Sequence, residues 1–151
     1  MISIIPYSPQ FHSSYKSLNL QWLMSYNLLE PFDEMQLDDP EKNILDPGGF
    51  IFLAQADDLI VGTSALVKME NDTYELAKMT VSPAYRGRGI SKLLIEKCIQ
   101  QARELNAKTI LLYSNSALKS ALSLYEKYGF KYIPSDDLHY TTADIKMILG
   151  I

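Results

Sequence analysis

The chain of 151 residues is 47% hydrophobic and 21% charged, with seven Gly, seven Pro and one Cys, a make-up that fits one globular domain over 1–151 rather than two. Its formal charge of −4 argues against a general nucleic-acid coat protein, and Cys98 has no partner for an internal disulfide. No apolar run reaches the roughly 20 residues that span a bilayer, so no membrane partner is expected.

The amino terminus, Met1-Ile2-Ser3-Ile4-Ile5-Pro6, lacks the basic segment and cleavage site of a signal peptide. A reducing cytoplasm is the expected location. Charge is unevenly spread: residues 1–75 hold 3 basic and 12 acidic side chains, and residues 76–151 hold 11 basic and 6 acidic. One half favours a cation and the other an anion, unless both are ordinary solvated surface.

In chain order, 2–5 reads as a short strand, and Ser8 followed by Pro9 reads as a helix start with Ser as N-cap. Phe11, Tyr15, Leu18 and Trp22 then recur as an apolar helical stripe. Residues 27–46, acidic and interrupted by Pro31 and Pro40, predict a broken helical excursion ending at Asp46-Pro47-Gly48-Gly49. Strands are predicted over 50–56, 59–69 and 73–81, an antiparallel meander with short turns. Ile90, Leu93, Leu94, Cys98, Ala102 and Leu105 share one face of a helix over 89–105 that Asn106 can close. A buried strand over 109–113 completes a βαβ unit with parallel strands. A helix over 117–128 stopped by Gly129 and strands over 130–133 and 138–149 finish a mixed α/β sheet with helices on its faces.

The informative segment is Val81-Ser82-Pro83-Ala84-Tyr85-Arg86-Gly87-Arg88-Gly89-Ile90-Ser91-Lys92, between a strand and an amphipathic helix. Glycines at 87 and 89 clear side chains from the backbone, and a helix start offers unpaired N–H groups whose dipole favours an anion such as pyrophosphate. Arg86, Arg88 and Lys92 add charge within reach of phosphate oxygens. The P-loop spacing is absent, and a dinucleotide fingerprint fails because Lys92 occupies the third glycine position. Taken alone, a solvated turn explains the segment as well as an anion site does.

This segment resembles the central motif of the GNAT superfamily of N-acetyltransferases, Gln/Arg-x-x-Gly-x-Gly/Ala, with Ser91 in the last place. Downstream, Ala121, Tyr125, Gly129 and Phe130 match the family's Ala-x-x-x-Tyr-x-x-x-Gly-Phe segment. Relatives often carry Asn seven residues before that Tyr; here Leu118 stands there and Asn115 is the nearby substitute. The resemblance covers 73–133 strongly and 50–72 less so. It implies a mostly antiparallel sheet whose parallel pair is splayed, with acetyl-CoA in the V. The pantetheine would pair with the backbone of Met79, Thr80 and Val81, and the pyrophosphate would lie on Arg86 to Ser91, including Ile90.

Acyl transfer to nitrogen requires a neutral amine, yet alkylamines have a pKa of about 10.4, so a base or a desolvated site is needed. His12 and His139 stand far apart without a nucleophile motif, so direct attack in a ternary complex is the simpler mechanism. Tyr125 is the candidate acid for the leaving thiolate, although Leu118, Leu122 and Tyr125 also fall at core spacing. Glu75, sharing a face with Met79 by period two, is the candidate base through water; a solvated strand carboxylate is the other reading. The oxyanion is assigned to a backbone N–H near Met79 or Thr80. Cys98, on an apolar helix face, reads as a buried small hydrophobe.

Trp22, Tyr26, Asp33 and Glu34 fall in the region that lines the acceptor pocket in the family. The resemblance thus predicts an acetyl-CoA-dependent N-acetyltransferase acting on a primary amine, small molecule or peptide, with no metal and no nucleic acid. Transfer to a protein lysine or N-terminus and a non-catalytic acyl-CoA-sensing module are the alternatives, and a homodimer through the last strand or the sheet edge is left open.

Overall fold

The computed structural model describes residues 1–135 and 142–151. Seven strands form one sheet: β1 (Ile2–Pro6), β2 (Phe50–Ala56), β3 (Leu59–Lys68), β4 (Thr73–Val81), β5 (Thr109–Ser114), β6 (Lys131–Ile133) and β7 (Ile145–Gly150). Their spatial order is β1-β2-β3-β4-β5-β7-β6, and every neighbouring pair is antiparallel except β4 and β5. The mixed α/β architecture with one parallel pair is the expected one. The last strand starts at Ile145 rather than 138; the earlier part of that expectation lies largely outside the described residues.

Alternation along β2 explains why the sheet needs cover on both faces. Ile51 and Leu53 pack with Tyr15 and Leu23 of α1 (His12–Ser25) and Leu37 of α2 (Pro31–Asp38), while Phe52 belongs to the opposite cluster. That second layer is α3 (Ile90–Glu104) and α4 (Lys119–Lys127), which bury Ile95, Cys98, Ile99, Leu122 and Tyr125 against Leu66, Tyr74, Leu76 and Ile110. Each fully buried aliphatic of this kind stabilises the fold by roughly 1.5–3 kcal/mol. Asn106 ends α3 at a left-handed φ of 59°, a conformation Asn tolerates.

Two local readings change. Ser8 is extended and makes no side-chain cap; Pro9 opens a short 3-10 turn (Pro9–Phe11), and α1 begins only at His12. The fully buried line of α1 is Tyr15, Asn19 and Leu23; Phe11 and Trp22 of the expected stripe pack, partly buried, against the same cluster, and Leu18 lies outside it. A buried Asn is tolerated because its Nδ2 donates to Tyr15 O at 2.9 Å and to Thr63 Oγ1 at 3.0 Å. Leu18 and Trp22 are half-buried, and Trp22 turns to the edges of the cavities described next.

Candidate functional site

Strands β4 and β5 pair only at Thr73, Tyr74 and Glu75, opposite Thr109, Ile110 and Leu111. Beyond Glu75 the two arms part, and the β5-facing backbone groups of β4 have no strand partner among the described residues. A bulge sharpens the parting: Ala77 opposes Ala65 and Thr80 opposes Thr63, so Lys78 and Met79 together face the single Ser64. Lys78 sits at φ 52°, the left-handed conformation that costs a side-chain-bearing residue roughly 1–2 kcal/mol. The extra residue also shifts parity, so Glu75 is in register step with Thr80 rather than with Met79. The period-two expectation for Glu75 and Met79 fails for that reason.

Two cavities occupy the splay. The outer one, about 620 Å³, runs from Met79, Thr80 and Val81 along the loop to Arg86, Gly87, Gly89, Ile90, Ser91 and Lys92, and is closed on its far side by α4. Gly87 and Gly89 adopt φ 79° and 78°, and a Cβ there would meet nothing within 4 Å, so glycine is required by conformation and not by crowding. Gly89 caps α3, and the first-turn N–H groups that follow have no intrahelical acceptor. The Arg86 Nε–H donates to Val81 O at 3.2 Å, which pins the loop back to the end of β4.

The electrostatics of this groove are one-sided. Arg86, Lys92, Lys119 and Lys127 line it, with no carboxylate among the described lining residues. Lys119, Ser123 and Lys127, spaced four apart on α4, were missed by sequence reasoning although that spacing was readable. Arg88 is not among the lining residues; its guanidinium lies over the Tyr85 ring, 4.8 Å from the centroid.

The inner cavity, about 110 Å³, opens between α1, α2 and the two arms of the splay. Glu75, Asp33 and Lys78 are its ionisable lining residues besides tyrosines. Glu75 is 2% exposed, so it is not a solvated strand carboxylate. Asp33 and Lys78 form an ion pair at 2.6 Å. Asn115 lines this cavity rather than the outer groove, and its amide is already used, donating to Thr142 O at 2.9 Å and accepting from the Ala117 N–H at 2.9 Å. Trp22 lines both cavities and Tyr26 the outer one, whereas Glu34 is exposed and lines neither, because α2 turns it away from neighbouring Asp33.

Trp22, Met79, Leu118, Ala121 and Tyr125 are shared by the two cavities. Tyr125 therefore stands where they meet, and it also packs in the core, its ring 5.9 Å from that of Phe130. Burial, with a lesser contribution from Cys98, pushes its phenol up to about 12. His12 bonds to Leu37 O through Nε2 at 2.8 Å and lines neither of these cavities; His139 lies outside the described residues.

The fold recurs in known proteins. The chain is 32% identical over 111 residues to the uncharacterised N-acetyltransferase YjgM of Escherichia coli K12, matching 72% of this chain and 64% of that one. An acetyltransferase of the GNAT family from Staphylococcus aureus Mu50 superposes with a TM-score of 0.90 at 27% identity, over 99% of each chain. Spermidine N-acetyltransferase from Vibrio cholerae, solved with CoA and spermine, shares the fold with a TM-score of 0.77 at 22% identity, over 99% of this chain and 95% of that one. The model of the acetyltransferase (GNAT) family matches residues 13–130, which take in the splay, the glycine loop and α4, and the chain belongs to that family.

Proposed function

We propose that the chain, acting as a single domain, is an acetyl-CoA-dependent N-acetyltransferase that moves an acetyl group to a primary amine by direct attack in a ternary complex. The observation that carries this reading is the charge division: a groove with four cations and no carboxylate among its described lining residues meets a small cavity holding Glu75 and Asp33, and Tyr125 stands at the junction. The groove suits a polyanionic acyl-CoA. Its diphosphate would lie on the backbone of 86–91, drawn by Arg86 and Lys92, and its pantetheine along the unpaired edge of Met79 to Val81. The bound CoA of the Vibrio cholerae enzyme supports this on a shared fold.

Chemistry follows from the junction. Glu75 takes a proton from the incoming ammonium, through water, to free the nitrogen lone pair. Backbone N–H groups near Met79 and Thr80 receive the developing oxyanion. Tyr125, protonated at neutral pH, donates a hydrogen bond to the departing thiolate sulfur. A phenol near 12 is a weak acid beside a thiol of about 8.5, but the same desolvation that raises Tyr125 raises the thiol too, narrowing the gap as the proton moves.

An inner cavity of about 110 Å³ is well below the roughly 300–1,000 Å³ of a pocket for a drug-sized ligand, which favours a small amine over a protein chain. Thiol release from acetyl-CoA, screened across amino acids, polyamines, aminoglycosides and peptides, tests the reading. Release with a small amine supports it, release with peptides alone moves the acceptor to proteins, and cofactor-raised melting with no release makes the chain an acyl-CoA sensor.

A further inference from the structure

Lys78 occupies the bulge of β4 in a left-handed conformation that a lysine does not favour, so something must hold it there. Two independent restraints converge on this residue. Its Nζ is 2.6 Å from Asp33 Oδ1, with the two side chains 4% and 6% exposed. Its carbonyl oxygen accepts a 2.6 Å hydrogen bond from Thr63 Oγ1, and Thr63 in turn accepts from Asn19 at 3.0 Å. Asn19 and Thr63 are 1% and 0% exposed, and burying such polar groups is costly unless they are bonded to one another.

Asp33 is itself fixed from a second direction. Its Oδ2 accepts the Glu30 N–H at 3.1 Å in the capping box of α2. The Glu30 carboxylate accepts hydrogen bonds from Thr142 N at 3.1 Å and Thr142 Oγ1 at 2.5 Å. The acceptor-side helix α2 is thereby tied to the one strained residue of the arm along which the acyl group would lie.

We propose that Asp33 is a positioning residue: through its ion pair with Lys78 it holds the β4 bulge left-handed and so aims the backbone N–H groups beside Met79 into the splay. The proposal rests on the reading that the splay receives the thioester. Asp33 touches no reacting atom in this scheme; it acts through Lys78. Without it, the bulge relaxes toward ordinary strand geometry and the amides turn out of line.

The test compares Asp33→Ala, Thr63→Val and the double variant Asp33→Ala with Lys78→Gly, since glycine adopts φ 52° unaided and removes the orphaned ammonium. Asp33→Ala is expected to lower kcat at least tenfold with the acetyl-CoA Kd within twofold, and to speed hydrogen exchange of the Met79 amide at least tenfold by NMR. Thr63→Val, which cuts the other restraint, should act in the same direction. The double variant should recover at least tenfold in kcat over Asp33→Ala. Unchanged kcat and exchange in Asp33→Ala, or a double variant no better than the single, overturns the proposal; the latter result makes Asp33 a substrate contact. A chain that transfers acetyl to no amine sinks the functional reading instead, and the Met79 exchange rate still decides whether Asp33 holds the bulge. Should Asp33→Ala fail to fold, Thr63→Val carries the same two measurements.

Discussion

Glu75 of β4 and Tyr125 of α4 line one inner cavity, Glu75 at the last register pair between β4 and β5 and Tyr125 where the cavity meets the cationic groove. Both are buried, at 2% and 8% exposure, beside the Asp33–Lys78 ion pair. An acid and a base facing one small volume is the minimum that thioester aminolysis asks of side chains.

Tyr125→Phe keeps the ring contact with Phe130 and removes only the hydroxyl. We expect kcat to fall about 10²-fold or more, the usual contribution of a positioned acid, with acetyl-CoA affinity within twofold by calorimetry. Wild-type turnover in the variant rejects the acid role. Because burial holds this phenol near 12, kcat of the wild type should show no alkaline limb from Tyr125 between about pH 7 and 10.

Glu75→Gln preserves shape and removes the base. Turnover at neutral pH should drop by about 10²-fold or more, and the acidic limb of the kcat/KM profile should disappear. A variant that keeps that limb shows that some other group is titrating.

Gly89→Ala adds a Cβ into open space, so its cost comes from φ 78° alone, roughly 1–2 kcal/mol. The cap of α3 must shift to relieve it. Acetyl-CoA Kd should rise about tenfold, the equivalent of roughly 1.4 kcal/mol, whereas Gly150→Ala, at ordinary φ and also in open space, should leave it unchanged. Equal Kd for both variants removes the backbone at 89 from the diphosphate site.

Cys98 donates to Ser64 Oγ at 3.3 Å and is fully buried, and burial pushes its thiol up to about 12. It should resist iodoacetamide at pH 8 in the folded chain and react in urea. Tyr125 and Cys98 both hold protons that the unfolded chain would release from about pH 9 or 10 upward, so the unfolded state binds fewer protons there and stability falls as pH rises. Tyr7 and Tyr15 are raised as well and act in the same sense. Melting temperature should hold steady below about pH 9 and decline from there through about pH 12. A melting temperature that rises over that range contradicts the burial of these groups.

Much of the site was legible because it is local. The glycine loop, the run into α3 and the Tyr125 to Phe130 segment are each contiguous, and each obeys a short-range rule: left-handed glycine, helix N-terminus, helical spacing. The Phe11, Tyr15 and Trp22 side of the first helical segment does dock, but apolar spacing could not show that polar Asn19 joins the buried line while Leu18 stays out of it. Asn19 and Thr63 settled that across 44 residues of chain.

The sequence by itself determined the order of elements and the cationic strand-to-helix loop, set by periodicity and backbone preference within a few residues, whereas Tyr125 and Glu75 stood out only through the family resemblance. Only the tertiary structure decided that the β4 bulge breaks the period-two face, that Asp33 and not Glu34 reaches the cavity, and that Asn115 and Arg88 are bonded or stacked elsewhere. Those outcomes depend on pairings between distant segments, where a one-residue shift in register redirects every side chain beyond it.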